Sequence, residues 1–435
     1  MLKIKKQFKC SCGQVHNSGA GEIIVKKGAI NSLVKFVNSF SAKSVFLFCD
    51  ENTFRVGAQK AQSLLLDAKL SVDTFIFPTT PFEPDENALN LLRNAYKNQD
   101  IIVSVGSGVI NDLSKILSSE KNIPYIIIAS APSMDGYCSK TSSIISDGLK
   151  VTVNSKVADV IIGDVDILKT APDKALISGF GDMIAKYVSI LEWKISNIIN
   201  EEYYCEKIAS LIKTAVKTCV DNIDGLLLRK DSAIEAVFNG LILGGVGMNY
   251  ALCSRPASGV EHYFSHIWDM RALEFNTPLS THGIQCAIGT LYAIKIYEQL
   301  ANFTPNLEKA TSFVKNFDFN AYSKKLEEFI GKASIPMIEN EKKDKKYDAI
   351  MHEKRIKKII DNWDDIVKLI KNELPKFSEL QNKLKKINAP TNANDIGLEE
   401  NIKYDTFTFT KDIRNKYVLS SLCFDLGIDT KELNF

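Results

Sequence analysis

The stretch Ile101–Lys115, IIVSVGSGVINDLSK, decides the fold. Its opening run is short, apolar and rich in β-branched residues, which reads as a strand. Gly106-Ser107-Gly108 interrupts it, and from near Val109 the apolar spacing becomes helical. A strand passing through a glycine turn into a helix is the building unit of an α/β domain. Glycines at that junction let backbone N–H groups approach a phosphate, and a helix N-terminus favours the anion. The sixth position is Asn111, so the full G-x-G-x-x-G spacing is broken, and a pyrophosphate cradle and an ordinary turn stay open.

Outward from this turn the pattern repeats. EIIVKKG, SVFLFCDEN, VDTFIFP and IPYIIIAS read as strands, separated by the helix-like INSLVKFVNSF, TFRVGAQKAQSLLLDAK and ENALNLLRNAYKNQ. Such alternation predicts a parallel sheet covered on both faces. SSIISDGLKVTVNSKVADVIIGDVDIL reads as a hairpin and one more strand, and from about Pro172 helical periods continue nearly to the end. The expectation is an N-terminal α/β domain with a parallel Rossmann-like sheet over residues 1–165 and an all-helical domain over 166–435. The lysine-rich stretch 323–386, with NEKKDKKYD, reads as a solvated helical face or loop.

Charge narrows the partners. Fifty-four Lys and Arg against 52 Asp and Glu leave a formal charge of +2, so there is no general attraction to nucleic acid or anionic lipid. No run approaches the roughly 18 apolar residues of a membrane span, and MLKIKKQFKCSCG lacks an apolar signal core. A cytoplasmic protein without a membrane span is expected. Nine cysteines, most of them single in apolar runs (Cys49, Cys219, Cys253, Cys286, Cys423), read as reduced core thiols. Cys10, Cys12 and His16 form a C-x-C-x3-H cluster, but a structural zinc site wants four ligands, and a plain hairpin turn around Gly13 is the expected reading.

Two further strand ends carry polar groups. IIIASAPSMDGYCSKTSS opens after its strand into hydroxyl residues with Asp135 and Gly136, where ligands of open α/β sheets sit. SVFLFCDEN ends on Asp50 and Glu51; Asp50 can accept from a ribose, or it can cap the helix that follows. The chain has only five histidines, and three fall close together: His262 and His266 at i, i+4 in SGVEHYFSHIWDM, and His282 in THGIQC. Asp182 lies in the apolar ISGFGDMIAKYV, where an unpaired carboxylate is costly. Two imidazoles and a carboxylate make up a catalytic divalent-metal site with open positions.

With SAPSMDGYCSKTSSI, SGFGDMIAKYVSILEW, SRPASGVEHYFSHIWDM and THGIQ in this order, the chain resembles the sn-glycerol-1-phosphate dehydrogenases. These belong to the superfamily of dehydroquinate synthases, glycerol dehydrogenases and iron-containing alcohol dehydrogenases. The resemblance runs from CSCGQVH to about residue 300 and fades in the lysine-rich helices. It implies a dehydroquinate synthase-like fold, NAD(H) or NADP(H), and one divalent metal (zinc, nickel or iron) on Asp182, His262 and His282. Substrate contacts would fall to Asp135, Asp182 and His266, with His266 relaying a proton. Dinucleotide contacts would fall to Asp50, the turn Gly108, Val109, Ile110, Asn111 and Asp112, then Ser130, Ala131, Pro132, Ser133 and Ser139, beside the Gly106 already noted. Val109 stands where the family carries a hydroxyl. The implied reaction interconverts dihydroxyacetone phosphate and sn-glycerol-1-phosphate, a phosphorylated small molecule, in a homo-oligomer taken to be a dimer. Arg255 and Lys186 are candidates for the substrate phosphate; acidic Asp50 and Glu51 would repel a 2′-phosphate.

Overall fold

Every residue of the run Ile101–Gly106 is buried, because strands lie on both sides of it. The computed structural model describes residues 4–78, 82–146 and 149–435. Its strands are β1 (Gln7–Lys9), β2 (Val15–Asn17), β3 (Glu22–Lys26), β4 (Ser44–Asp50), β5 (Ser71–Phe77), β6 (Ile101–Gly106), β7 (Tyr125–Ala129), β8 (Thr141–Ser146), β9 (Leu149–Asn154) and β10 (Val160–Asp164). Six form one all-parallel sheet in the order β3-β10-β7-β6-β4-β5. At its centre Val103 pairs with Leu47 on one side and Ile126 on the other, and all three are fully buried. Each such side chain contributes about 1.5–3 kcal/mol on leaving water.

The strands and helices expected from the sequence are present, but the strand order refines the Rossmann-like expectation. Counted from β4, the order is 2-1-3-4-5, the flavodoxin-like arrangement, with β3 added at the far edge. The chain leaves β4 towards β5, returns past β4 to β6, and then builds in the opposite direction. The winding therefore reverses between β4 and β6, where a doubly wound sheet opens its ligand crevice. β8 and β9 form the expected antiparallel hairpin; its turn, Asp147-Gly148, lies outside the described residues.

The longer helices of the first half are α1 (Leu33–Ser39), α2 (Gln59–Asp67), α3 (Glu86–Ala95) and α4 (Gly108–Lys121). A π-helical turn, Phe54–Ala58, leads into α2 where the sequence suggested one helix. α5 (Asp173–Asn200), α6 (Glu206–Asp221), α7 (Asp231–Ala251), α8 (Val260–Phe275) and α9 (His282–Leu300) follow, and eight more helices run from Leu307–Lys315 to Leu419–Asp425. Two compact units result: Met1–Met183 with Ser210–Cys253, and Ile184–Ala209 with Ser254–Phe435. α7 thus belongs with the sheet, where Phe238 packs against the backbone of Gly163 in β10.

In the second unit α8 packs on α9. Gly289 permits the close approach, since a Cβ there would fall 2.8 Å from the carbonyl oxygen of Glu261. The lysine-rich helices bury one face each, through Ile356 and Ile359, Ile366 and Ile370, and Leu380 and Leu384. Lys354, Lys357, Lys368, Lys385 and Lys386 lie on the exposed side, as the sequence suggested. Among the described residues no helix is long and apolar enough to cross a membrane.

Candidate active site

The crevice side of the first unit is built at the ends of β4, β6 and β7. Gly106 is required by packing: a Cβ would lie 2.3 Å from that of Ile110, so only glycine lets β6 turn directly into α4. Gly108 is different, because the nearest atom to a Cβ there would be 3.7 Å away, on Met134. Ser107 at the N-cap makes no side-chain capping bond. The first turn of α4, with Val109 and Ile110, therefore offers backbone N–H groups at an uncrowded glycine, which fits an anionic group of a dinucleotide.

Two other predicted cofactor residues, Asn111 and Asp112, are tied into this segment by hydrogen bonds. Asn111 donates from Nδ2 to Gly136 O at 3.2 Å and accepts from the Tyr125 hydroxyl. Asp112 accepts from Ser143 N and lies 3.3 Å from Nζ of Lys115. Lys115, fully buried, also donates to Gly136 O (2.5 Å), Thr141 O (2.9 Å) and Ser139 Oγ (3.1 Å). This lysine, missed in the sequence, fastens the SMDGYCSKT segment to α4; its only signal was a cation on the apolar side of a helix.

The segment after β7 is held just as firmly. Ser130 N donates to Gly106 O, the Tyr137 hydroxyl to Ala131 O, and Ser178 Oγ to Ser133 O, while Pro132 is buried between them. Asp182, wholly buried in α5, accepts from the backbone N–H of Asp135 at 2.9 Å. Asp50 realises the capping reading: its Oδ1 accepts from Asn52 N and Thr53 N at 2.8 and 2.9 Å.

In the second unit the three histidines gather. The rings of His262 and His282 have centroids 5.1 Å apart, and His266 lies 6.2 Å from His282. His262 Nδ1 is 2.9 Å from Glu261 Oε1, an oxygen that also accepts from Gly259 N. A carboxylate only accepts, so Nδ1 carries the proton and Nε2 the lone pair. Ser265 Oγ gives its one proton to Gln285 Oε1 at 2.6 Å, and at 2.9 Å it accepts from His282 Nδ1. Both imidazoles are thereby set in the tautomer whose Nε2 can bind a metal, by the kind of outer contact that orients metal ligands.

Cys286, read from sequence as a core thiol, is buried but joins this group. One turn along α9 from His282, it places Sγ 3.6 Å from His282 Nε2, and the donor atoms of His262, His282 and Cys286 all lie within 4.8 Å of one another. Burial by itself would raise its pKa; the two imidazoles outweigh that and bring it below the ordinary thiol value. Two imidazoles with a thiol fit a borderline-soft divalent ion. Behind them Glu192 accepts from Val260 N and Leu419 N, and burial together with the charge of Glu261 pushes its pKa up to about 8.

Arg255 does not serve as a phosphate ligand. It is 1% exposed, its Nε and Nη2 grip Glu202 at 2.8 and 2.5 Å, and it donates to Tyr417 O and Ser196 Oγ. The buried guanidinium is consumed by a bidentate structural pair with the half-exposed Glu202. Lys186 is also buried.

The family model for iron-containing alcohol dehydrogenases matches residues 24–172. A curated NAD(P)+ glycerol-1-phosphate dehydrogenase of Halalkalibacterium halodurans is 27% identical over 426 residues, 96% of each chain. That similarity continues through the lysine-rich helices, beyond the point near residue 300 where the motifs fade. Its Bacillus licheniformis counterpart is 32% identical over 296 residues, 67% of this chain and 74% of that one. Among solved structures, a probable glycerol dehydrogenase from Sinorhizobium meliloti superposes with a TM-score of 0.59 at 13% identity, covering 95% of this chain and 98% of its own. A 1,3-propanediol oxidoreductase gives 0.62 at 13%, covering 94% and 97%. At such identities these two establish the fold. The sequence relatives establish more: this chain belongs to the glycerol-1-phosphate dehydrogenase family.

Proposed function

We propose that this protein interconverts dihydroxyacetone phosphate and sn-glycerol-1-phosphate with NAD(H) or NADP(H), running in the reductive direction to make a lipid-backbone precursor. The observation that carries the reading is the pair His262 and His282, each with Nδ1 held by its own acceptor, in a chain of this family. The metal ligands would be these two imidazoles and the Asp182 carboxylate that the resemblance adds. When bound, a divalent ion supplies Lewis acidity to a carbonyl oxygen and a nicotinamide supplies the hydride.

The chain's own residues do the rest. Glu261 and Ser265 hold the two imidazoles in one tautomer. His266, partly exposed and close to His282, carries the proton that the product hydroxyl needs, since an imidazole titrates near neutral pH. Asp135 and Asp182 contact the substrate. The dinucleotide lies along the first turn of α4 (Gly108 to Asp112), the Ser130–Ser133 segment and Ser139, with Asp50 towards the ribose. In this reading the sheet-bearing unit carries the cofactor. Of zinc, nickel and iron, the thiol of Cys286 beside both rings favours zinc. A homodimer is part of the same proposal.

The test is NADH oxidation by the zinc-loaded chain, driven by dihydroxyacetone phosphate or by dihydroxyacetone. Preference for the phosphorylated ketone, with turnover and metal both lost in His262→Ala, is the expected result. Faster turnover of dihydroxyacetone would reassign the protein to alcohol dehydrogenation, and no hydride transfer with metal bound would end the proposal.

A further inference from the structure

A second set of metal donors lies at the start of the chain. The strands β1 and β2 pair through Phe8 and His16, and the loop between them closes by Cys10 N to Gln14 O and Gly13 N to Cys10 O. Gly13 takes φ +86°, left-handed backbone that favours glycine, and the loop folds back so that both thiols reach the imidazole of β2. Cys12 Sγ is 3.3 Å from His16 Nε2, and the donor atoms of Cys10, Cys12 and His16 lie within 4.8 Å of one another. Ligands sharing one tetrahedral zinc ion sit about 3.5–3.8 Å apart, given ion–ligand distances of about 2.3 Å for sulfur and 2.0–2.1 Å for nitrogen.

The imidazole is also oriented for the task. His16 is 1% exposed, and its Nδ1 lies 2.8 Å from the carbonyl oxygen of Tyr250. A carbonyl only accepts, so Nδ1–H points away from the sulfurs and the Nε2 lone pair points at them. This arrangement, a histidine fixed by a backbone carbonyl with thiols on its other nitrogen, is that of a ligand in a structural zinc site. The hairpin has reason to need one. Each strand is three residues long, too short for independent stability, and it is anchored on the last turn of α7 through Tyr250 Oη to Lys5 O and Asn249 Nδ2 to Ser18 O.

We infer that Cys10, Cys12 and His16 bind a thiophilic divalent cation, zinc foremost, as a structural site additional to the dehydrogenase metal. Each ligating thiol gives up its proton to solvent as the ion binds, and the fourth tetrahedral position is left to water or a further donor.

The experiment uses the full chain and needs no variant for its first arm. Alkylation of Cys10 and Cys12 by iodoacetamide is followed by peptide mass mapping, before and after a strong chelator. At least tenfold protection that the chelator abolishes and added Zn2+ restores is expected. Equal labelling in both states, or a Cys10–Cys12 disulfide peptide, would overturn the site. In the second arm, metal content and thiolate-to-cadmium charge-transfer absorption are measured on His262→Ala/His282→Ala and on that double variant carrying Cys12→Ser as well. The double variant should keep about one zinc per chain and its absorption band, and adding Cys12→Ser should abolish that band. A double variant with neither zinc nor a band would show that every bound ion belongs to the dehydrogenase centre.

Discussion

Glu261 Oε1 receives two donors at once, the backbone N–H of Gly259 at 2.6 Å and Nδ1 of His262 at 2.9 Å. One buried carboxylate thus ties the start of α8 to the tautomer of the imidazole next to it. Glu261→Gln keeps the shape, but its amide can offer a proton where the ring needs an acceptor. Metal affinity, measured by chelator competition, should fall about 10- to 100-fold. An unchanged affinity would show that His262 is oriented by packing alone.

Lys115 joins α4 to the segment that carries Asp135 and Ser139. Lys115→Met leaves the carbonyls of Gly136 and Thr141 and the Asp112 carboxylate short of a buried donor. A loss of about 3 kcal/mol in urea unfolding is expected. A loss under about 1 kcal/mol would mean that water takes over the lysine's bonds.

Asp50 combines a cap with a charge at the end of β4. Asp50→Asn keeps the capping oxygen, since asparagine caps as well as aspartate, and removes the carboxylate charge. If the residue lies by the ribose, the NADPH to NADH ratio of kcat/KM should rise about five- to tenfold, the equivalent of about 1 kcal/mol of like-charge repulsion. No change in the ratio would leave Asp50 with capping only.

Glu341 titrates out of its usual range. Burial first, then the charge of Asp412, push its pKa from 4.5 up to about 7, against the pull of Lys346. The folded chain holds this proton more tightly than the unfolded one. The residue is therefore neutral to stability below about pH 4.5, and its cost grows as pH rises to about 7 and is complete above it. Glu341→Gln should raise Tm at pH 8, by about 1–3 kcal/mol of stability, and leave it nearly unchanged at pH 4.5. Equal effects at both pH values would assign the change to packing.

Much of the fold was legible because β4, β6 and β7 are buried on both faces and so read as unbroken apolar runs. Strand order was not, because the pairing of β6 with β4 and β7 depends on packing between residues far apart in the chain. The three histidines stood out by their scarcity. Glu261 and Cys286 did not: a glutamate beside a histidine and a cysteine in an apolar helix each have an ordinary explanation, and only the approach of α8 to α9 gives them a part. Arg255 misled for the opposite reason, since a cation ahead of a helix start looks available until Glu202 is found bound to it.

β3 leaves the ribosome well before its partner in the sheet, β10, which ends at Asp164, and Phe238 must still arrive to cover that strand. A nascent chain therefore carries β3 without its sheet partner through the synthesis of roughly a third of the sequence. Slowing translation before α7 should enrich species that chaperones capture, whereas delays in the later helices should not.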